Sequence, residues 1–137
     1  MKKILFTTFF ILAGILFANA RGTANITFET TTYNFGAFSA NSPVVTCKFK
    51  FKNTGDGPLV IHQAIAYCGC AVPKYPKNPI KPGETGEITV TYDGTGKFPG
   101  YFRKTISLRT NSKNEVTRLY IEGDMTPSDP EKEQTTE

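Results

Sequence analysis

Val44-Val45-Thr46-Cys47-Lys48-Phe49-Lys50-Phe51-Lys52 is the stretch that decides the fold of this chain. From Val45 onward, apolar side chains alternate strictly with threonine or lysine. Successive side chains of a strand point to opposite faces, so the pattern predicts an antiparallel strand with one buried face and one face in water. We interpret the three lysines as this solvated outer face, which keeps a sheet soluble and discourages edge pairing.

The segments around this strand repeat the same kind of pattern. They are short, rich in β-branched and aromatic residues, and separated by turn residues such as Lys81-Pro82-Gly83-Glu84, which suits a type II turn. The further predicted strands are Ile26–Thr30, Tyr33–Phe38, Leu59–Ala66, Glu87–Tyr92, Phe102–Thr110 and Val116–Gly123. About seven strands without helical periodicity predict an all-β, immunoglobulin-like antiparallel β-sandwich.

The two ends of the chain have a different composition from the middle. Residues 1–20 have the form of a signal peptide, with Lys2 and Lys3, an apolar run and the small-residue pattern Ala18-Asn19-Ala20. The apolar run is shorter than the about 20 residues that span a bilayer, so we expect cleavage and no membrane span. Residues 126–137 read as a disordered acidic tail, because they contain no large apolar side chain. One sandwich domain, 21–125, lies between them, and we expect a periplasmic or secreted protein of a bacterial envelope.

Charge and missing motifs limit the function classes. Residues 21–123 hold 13 basic and seven acidic side chains, a modest excess that gives no reason to expect nucleic acid. His62 is the only histidine, and the chain contains no G-x-S-x-G, H-E-x-x-H or phosphate-binding glycine loop. We therefore expect no enzymatic activity.

Cys68-Gly69-Cys70 is the most informative motif for function. In an exported protein two such thiols tend to pair, and Gly69 allows the backbone to bend so that the two sulfur atoms meet. Pairing would make Cys68 and Cys70 either an inert disulfide or a labile one with a redox role. The alternative is a soft-metal site, for which copper is the candidate, with Cys47 and His62 as the further ligands.

Prolines recur at every third position after this motif. Pro73, Pro76, Pro79 and Pro82 would line one edge of an extended polyproline II segment. We favour a stiff loop that joins the two sheets. The alternative is a docking strip, in which Tyr67 and Tyr75 join Pro73, Pro76 and Pro79 as contacts.

Several of these pieces together resemble the exported bacterial family called domain of unknown function 1573. They are Tyr33-Asn34-Phe35-Gly36, Phe49-x-Phe51-x-Asn53-Thr54-Gly55, Cys68-Gly69-Cys70 with Val72-Pro73, and Gly86-x-Ile88-x-Val90-x-Tyr92. The resemblance implies export and a fold similar to the major sperm protein, Hydin and PapD modules, and it implies no reaction. Tyr67 and Ala71 stand where members usually have serine and threonine, and Cys47 stands where members often have histidine.

These observations predict a non-catalytic module that binds or scaffolds another envelope component. The partner would be an envelope protein or a glycan, and no cofactor is expected unless copper binds. The alternative function is copper binding or thiol redox chemistry at Cys68-Gly69-Cys70.

Overall fold

Eight β-strands in two sheets make up the part of the chain that the structure describes. The structure is a computed structural model and describes residues 22–129, so the predicted signal peptide and residues 130–137 of the predicted tail lie outside it. The strands are β1 (Ile26–Phe28), β2 (Thr32–Ser39), β3 (Val44–Asn53), β4 (Ile61–Ala66), β5 (Ala71–Lys74), β6 (Thr85–Asp93), β7 (Gly100–Thr110) and β8 (Val116–Thr126). Sheet A has the order β1-β3-β6-β5 and sheet B the order β2-β8-β7-β4. The predicted immunoglobulin-like sandwich is confirmed.

The core lies between the sheets and follows the alternation in the sequence. On β3, Cys47, Phe49 and Phe51 are buried, and the lysines between them are exposed. The alternating apolar residues of β6, β7 and β8 are buried as well: Ile88, Val90, Tyr92, Ile106, Leu108, Leu119 and Ile121. Lys48 pairs with Glu87 at 3.3 Å on the wet face, and both side chains are well exposed, so this ion pair adds little stability.

The arrangement differs from the prediction in two places. β2 runs parallel to β8, whereas every other strand pair is antiparallel, because the chain crosses from sheet A to sheet B between β1 and β2. The second difference is β5, a strand that the sequence analysis missed. It pairs antiparallel with β6, with Val72 opposite Thr91 and Pro73 opposite Val90.

Pro73 is compatible with a strand because β5 is an edge strand. The Asp93 amide donates to the Cys70 carbonyl oxygen at 2.8 Å. Alternate residues of an antiparallel pair bond to the partner, so Val72 and Lys74 also point their backbone groups at β6. Pro73 then faces the open edge, where the missing N–H breaks no ladder bond.

The proline-rich segment does not join the two sheets, and that interpretation was wrong. β5 and β6 are neighbours in sheet A, so the segment between them returns the chain to the same sheet. β4 belongs to sheet B, and the turn Tyr67–Cys70 between β4 and β5 is therefore the crossing between the sheets. Downstream, the Lys81–Glu84 turn forms as predicted, with the Glu84 amide bonded to the Lys81 carbonyl oxygen and Gly83 at φ 82°.

Candidate functional site

The turn at Cys68-Gly69-Cys70 carries a closed disulfide where the chain crosses between the sheets. The two sulfur atoms are 2.12 Å apart and the two Cα atoms 5.1 Å apart. Cys70 is buried at 5% exposure and packs into the core, whereas Cys68 is half-buried at the core's edge. Gly69 is exposed, and a Cβ atom placed on it would meet nothing within 4 Å. The disulfide therefore joins a half-buried residue at the edge of the core to a buried one.

Backbone hydrogen bonds hold this turn against its neighbours. The Cys70 carbonyl oxygen accepts from the Asp93 amide at 2.8 Å, and the Pro43 carbonyl oxygen accepts from the Gly94 amide at 2.9 Å. Three connections thus meet around the end of β6: the β2–β3 loop (40–43), the β4–β5 turn (67–70) and the β6–β7 loop (94–99). We call these connections, with the strand ends that carry them, the loop end.

An aromatic stack supports the loop end from inside. The Tyr92 ring of β6 lies parallel to the Phe102 ring of β7, with centroids 4.1 Å apart and planes at 6°. Phe38 of β2 meets both rings edge-on at 6.3 and 5.9 Å. These contacts join sheet A to sheet B, so the three connections rest on a packed base.

Exposed apolar side chains are concentrated at the loop end. Residues 22–129 contain seven large apolar side chains that are exposed, and five of them lie here: Val44, Tyr67, Val72, Phe98 and Tyr101. Phe98 is 97% exposed and Tyr67 is 80% exposed. Tyr33 and Val116 lie elsewhere on the sandwich. Exposed apolar groups at one end of a domain are candidates for contact with a partner.

The predicted docking strip is not assembled as one surface. Of its two aromatic residues, Tyr67 is exposed to solvent and Tyr75 is not. Tyr75 packs against the core, its hydroxyl donates to the His62 carbonyl oxygen at 3.3 Å, and the Lys77 ammonium lies 3.4 Å from its ring centroid. Tyr75 therefore covers the open edge of β4. Pro73 and Pro76 are half-buried and Pro79 is exposed, on the segment that leads away from the loop end.

The four candidate metal ligands do not come together. His62 lies four residues before the end of β4 at Ala66, about 13 Å along the strand, and Cys68 lies in the turn beyond that end. Cys47 is opposite Val90 while Cys70 is bonded to Asp93, two strands away, so those Cα atoms are about 14 Å apart. Among residues 22–129 no group of three or more metal-ligating side chains is close enough to hold an ion. Cys68 and Cys70 are also bonded to each other, so neither offers a thiolate until the disulfide is reduced.

Cys47 is a free thiol in the core. It is 4% exposed, and burial raises the pKa of its thiol from 9.0 to about 11. A thiol that stays protonated at neutral pH is a poor nucleophile and a poor ligand. Cys47 therefore acts as a small apolar side chain.

Sequence reasoning missed Phe98, Val72 and Tyr101 as surface groups. Phe98 stands between Lys97 and Pro99 in a glycine-rich loop, and an aromatic residue in such a loop is the signal that could have found it. Val72 and Tyr101 carried no comparable signal, because an apolar residue in a strand is usually buried. Their exposure depends on which face of β5 and β7 they occupy.

The family model that matches the chain is described as protein of unknown function (DUF1573), and it matches residues 26–125. A protein of unknown function from Porphyromonas gingivalis W83 is similar in structure, with a TM-score of 0.65 and 18% identity over 77% of this chain and 48% of that one. The chain thus spans about half the length of the Porphyromonas protein. The comparison with curated proteins found no match.

Two further solved structures share the sandwich. The ASH/PapD-like domain 7 of human CEP192 has a TM-score of 0.61 and 8% identity over 78% of this chain and 89% of that one. The VesB protease of Vibrio cholerae has a TM-score of 0.56 and 12% identity over 75% of this chain and 31% of that one. At such identities the likeness shows the fold alone.

Proposed function

The chain belongs to the family described as protein of unknown function (DUF1573), and from that premise we propose that it is an exported, non-catalytic module that binds another protein of the bacterial envelope through its loop end. The observation that carries the proposal is the concentration of Val44, Tyr67, Val72, Phe98 and Tyr101 at one end of the sandwich. Burial of a side chain the size of phenylalanine or tyrosine contributes about 2–3 kcal/mol, so a few anchors supply most of an interface's free energy.

A protein partner fits this surface better than a glycan. Phe98, the most exposed of the five side chains, offers an apolar ring with no hydrogen-bonding group, which suits a hydrophobic pocket. Tyr101 is held by its hydroxyl, which donates to the Glu122 carboxylate at 3.0 Å. This bond keeps the ring in place at low entropic cost on binding.

Other observations support the proposed export and the proposed lack of catalytic activity. The signal-like residues 1–20 support export to the periplasm or beyond. The described part of the chain has no helix long and apolar enough to cross a membrane. The lone histidine, His62, is far from Cys68, which leaves the thiols without a base. Cell fractionation and sequencing of the mature N-terminus test export, and a protein that starts at Arg21 in the envelope fraction is the expected result.

Site-specific crosslinking in the native envelope tests the binding proposal. We would place a photoreactive amino acid at position 98, and at exposed Val116 as a matched control, since Val116 lies outside the loop end. The expected result is a discrete protein adduct from position 98 only. Equal adducts from both positions, or none from either, would contradict the proposal.

A binding measurement with the purified partner completes the test. Phe98→Ser should weaken binding by about 2 kcal/mol, or roughly thirtyfold, whereas Val116→Ser should leave the affinity unchanged. Binding to purified cell-wall glycan that is lost in Phe98→Ser would instead indicate the glycan alternative.

A further inference from the structure

The Cys68–Cys70 disulfide joins a half-buried cysteine at the edge of the core to a buried one. We propose that it is a thiol–disulfide exchange site, at which a dithiol of another protein attacks Cys68 and is oxidised. The inference goes beyond the binding function proposed above, because exchange needs only a transient encounter and no stable partner at the loop end.

The disulfide is not what holds this turn in place. It closes a loop that includes a single intervening residue, so it removes little conformational freedom from the unfolded chain. The Asp93 amide bonded to the Cys70 carbonyl oxygen already ties the turn to β6. The Gly94 amide bonded to the Pro43 carbonyl oxygen ties the adjacent loops together. A disulfide that contributes little to the fold can open without unfolding the domain.

The surroundings of the two sulfur atoms differ in the way that exchange requires. Cys68 is half-buried and is followed by Gly69, where the space that a side chain would fill is open. Cys70 is buried against the core. An incoming thiolate can therefore approach from the Gly69 side and reach Cys68 before Cys70.

The exchange proceeds in two balanced steps. A thiolate of the partner attacks the Cys68 sulfur, the Cys68–Cys70 bond breaks, and Cys70 leaves as a thiolate that takes up a proton. The second thiolate of the partner then attacks the partner's sulfur in the mixed disulfide and displaces Cys68 as a thiolate. The partner has lost two electrons and gained a disulfide, and Cys68 and Cys70 are both reduced. If no second thiol arrives, Cys70 is close enough to reattack Cys68 and restore the original disulfide.

The surface beside Cys68 suits a polypeptide rather than a small thiol. Tyr67 directly precedes it and is 80% exposed, and Val72 is exposed on the following strand. Apolar residues next to a substrate cysteine can pack against these two side chains. The class of substrate is thus a cysteine in an extended or incompletely folded protein segment.

Reduction under native conditions is the first test. The purified mature protein would be incubated with reduced glutathione, then alkylated and mapped by mass spectrometry, with circular dichroism as the check on folding. Cys68 should be alkylated about tenfold or more faster than Cys70, because Cys68 is half-buried and Cys70 is buried against the core. Cys47 is buried and serves as an internal reporter, because it should stay unmodified while the domain remains folded.

Three outcomes of that experiment would overturn the proposal. The first is a disulfide that resists glutathione while the domain is folded. The second is a disulfide that opens only when Cys47 also reacts, which indicates unfolding. Alkylation of Cys70 as fast as Cys68 would remove the asymmetry on which the mechanism rests. The experiment uses the wild-type chain, so it does not depend on a variant that folds.

Matched variants test which sulfur is attacked and what docks beside it. Cys70→Ser should form a mixed disulfide with oxidised glutathione at Cys68, and Cys68→Ser should react about tenfold more slowly. A single-cysteine peptide with apolar flanks should open the wild-type disulfide to a mixed disulfide about two- to tenfold faster than the same peptide with serine flanks. Tyr67→Ser should abolish that preference. Equal rates for the two cysteine variants would contradict the assignment of Cys68, and a preference that survives Tyr67→Ser would contradict the docking surface.

Discussion

At the scale of single residues, Asn53 links the turn after β3 to the segment that contains Ile80 through side-chain hydrogen bonds. It is fully buried, and its side-chain amide donates to the Gly57 and Ile80 carbonyl oxygens at 2.8 and 2.9 Å. Its Oδ1 atom accepts from the Gly55 amide at 3.0 Å. The side chain thus satisfies backbone groups of the turn after β3, and it adds a second bond to the Ile80 carbonyl oxygen, which also accepts from the Leu59 amide at 2.8 Å.

Asn53→Ala should lower the free energy of unfolding by about 2–4 kcal/mol, because it leaves buried backbone groups without partners. Urea unfolding measures the loss. Asn78→Ala is the matched control, since Asn78 is exposed, and it should change stability by less than about 0.5 kcal/mol. A similar loss in both variants would contradict the role of Asn53.

The Cys47 thiol makes the free energy of unfolding decrease at alkaline pH. Its pKa is about 11 in the fold and 9.0 as an unperturbed group, so above pH 9 the unfolded state releases a proton that the folded state keeps. The contribution of the Cys47 thiol to the free energy of unfolding is fully present below pH 9 and decreases as the pH rises towards 11. Between pH 8 and pH 10 we expect a loss of about 1 kcal/mol from this thiol alone.

Urea unfolding at the two pH values measures this loss against Cys47→Val, which cannot ionise. Both proteins would carry Cys68→Ser and Cys70→Ser, so that no disulfide exchange occurs at high pH. Other groups that titrate in this range, such as Tyr92, are common to both proteins and cancel. An identical pH dependence in the two proteins would contradict the prediction.

At the scale of elements, β5 is an edge strand whose open side is blocked. Pro73 faces that side without an N–H, while Val72 bonds to β6. The other edge strands are protected against pairing in different ways. β1 has only three residues, β2 changes register at its bulge between Asn34 and Ala37, and Tyr75 covers β4. Such devices prevent another chain from adding a strand to either sheet.

Proline should be harmless at position 73 and damaging at the residue before it. Val72→Pro removes a ladder hydrogen bond and should destabilise the domain by about 3 kcal/mol, whereas the control Val72→Thr should have a small effect. Pro73→Thr should leave the free energy of unfolding unchanged, but its backbone N–H would be a free hydrogen-bond donor at the open edge of β5. Self-association through this edge is therefore expected, and sedimentation velocity would detect it. A Val72→Pro protein as stable as the wild type would show that the register assigned to β5 is wrong.

At the scale of the whole molecule, the fold should survive loss of its disulfide. The domain's core is formed by residues of both sheets, and the Cys68–Cys70 bond closes a loop too short to constrain the unfolded chain strongly. The Cys68→Ser/Cys70→Ser protein should therefore lose no more than about 1–2 kcal/mol and unfold in a single cooperative transition. Calorimetry tests this, and a double variant that is unfolded at room temperature would contradict it.

The fold class and the core can be predicted from the sequence. Strict alternation over Val45–Lys52 and the inward residues of β6, β7 and β8 specify which faces are buried, because burial of apolar surface dominates the free energy of folding. The family resemblance could be recognised from the same residues, and it is confirmed over residues 26–125. These features are local in sequence, so periodicity reveals them.

The positions of the functional groups relative to one another depend on the tertiary structure. It placed Cys68-Gly69-Cys70 at the crossing between the sheets, made Pro73 part of an edge strand, and brought Phe98 and Tyr67 to the same end of the sandwich. It also separated His62 and Cys47 from the paired cysteines. Strand order and register bring distant residues together through long-range pairings, and alternation within a single strand carries no information about which strand will be its neighbour.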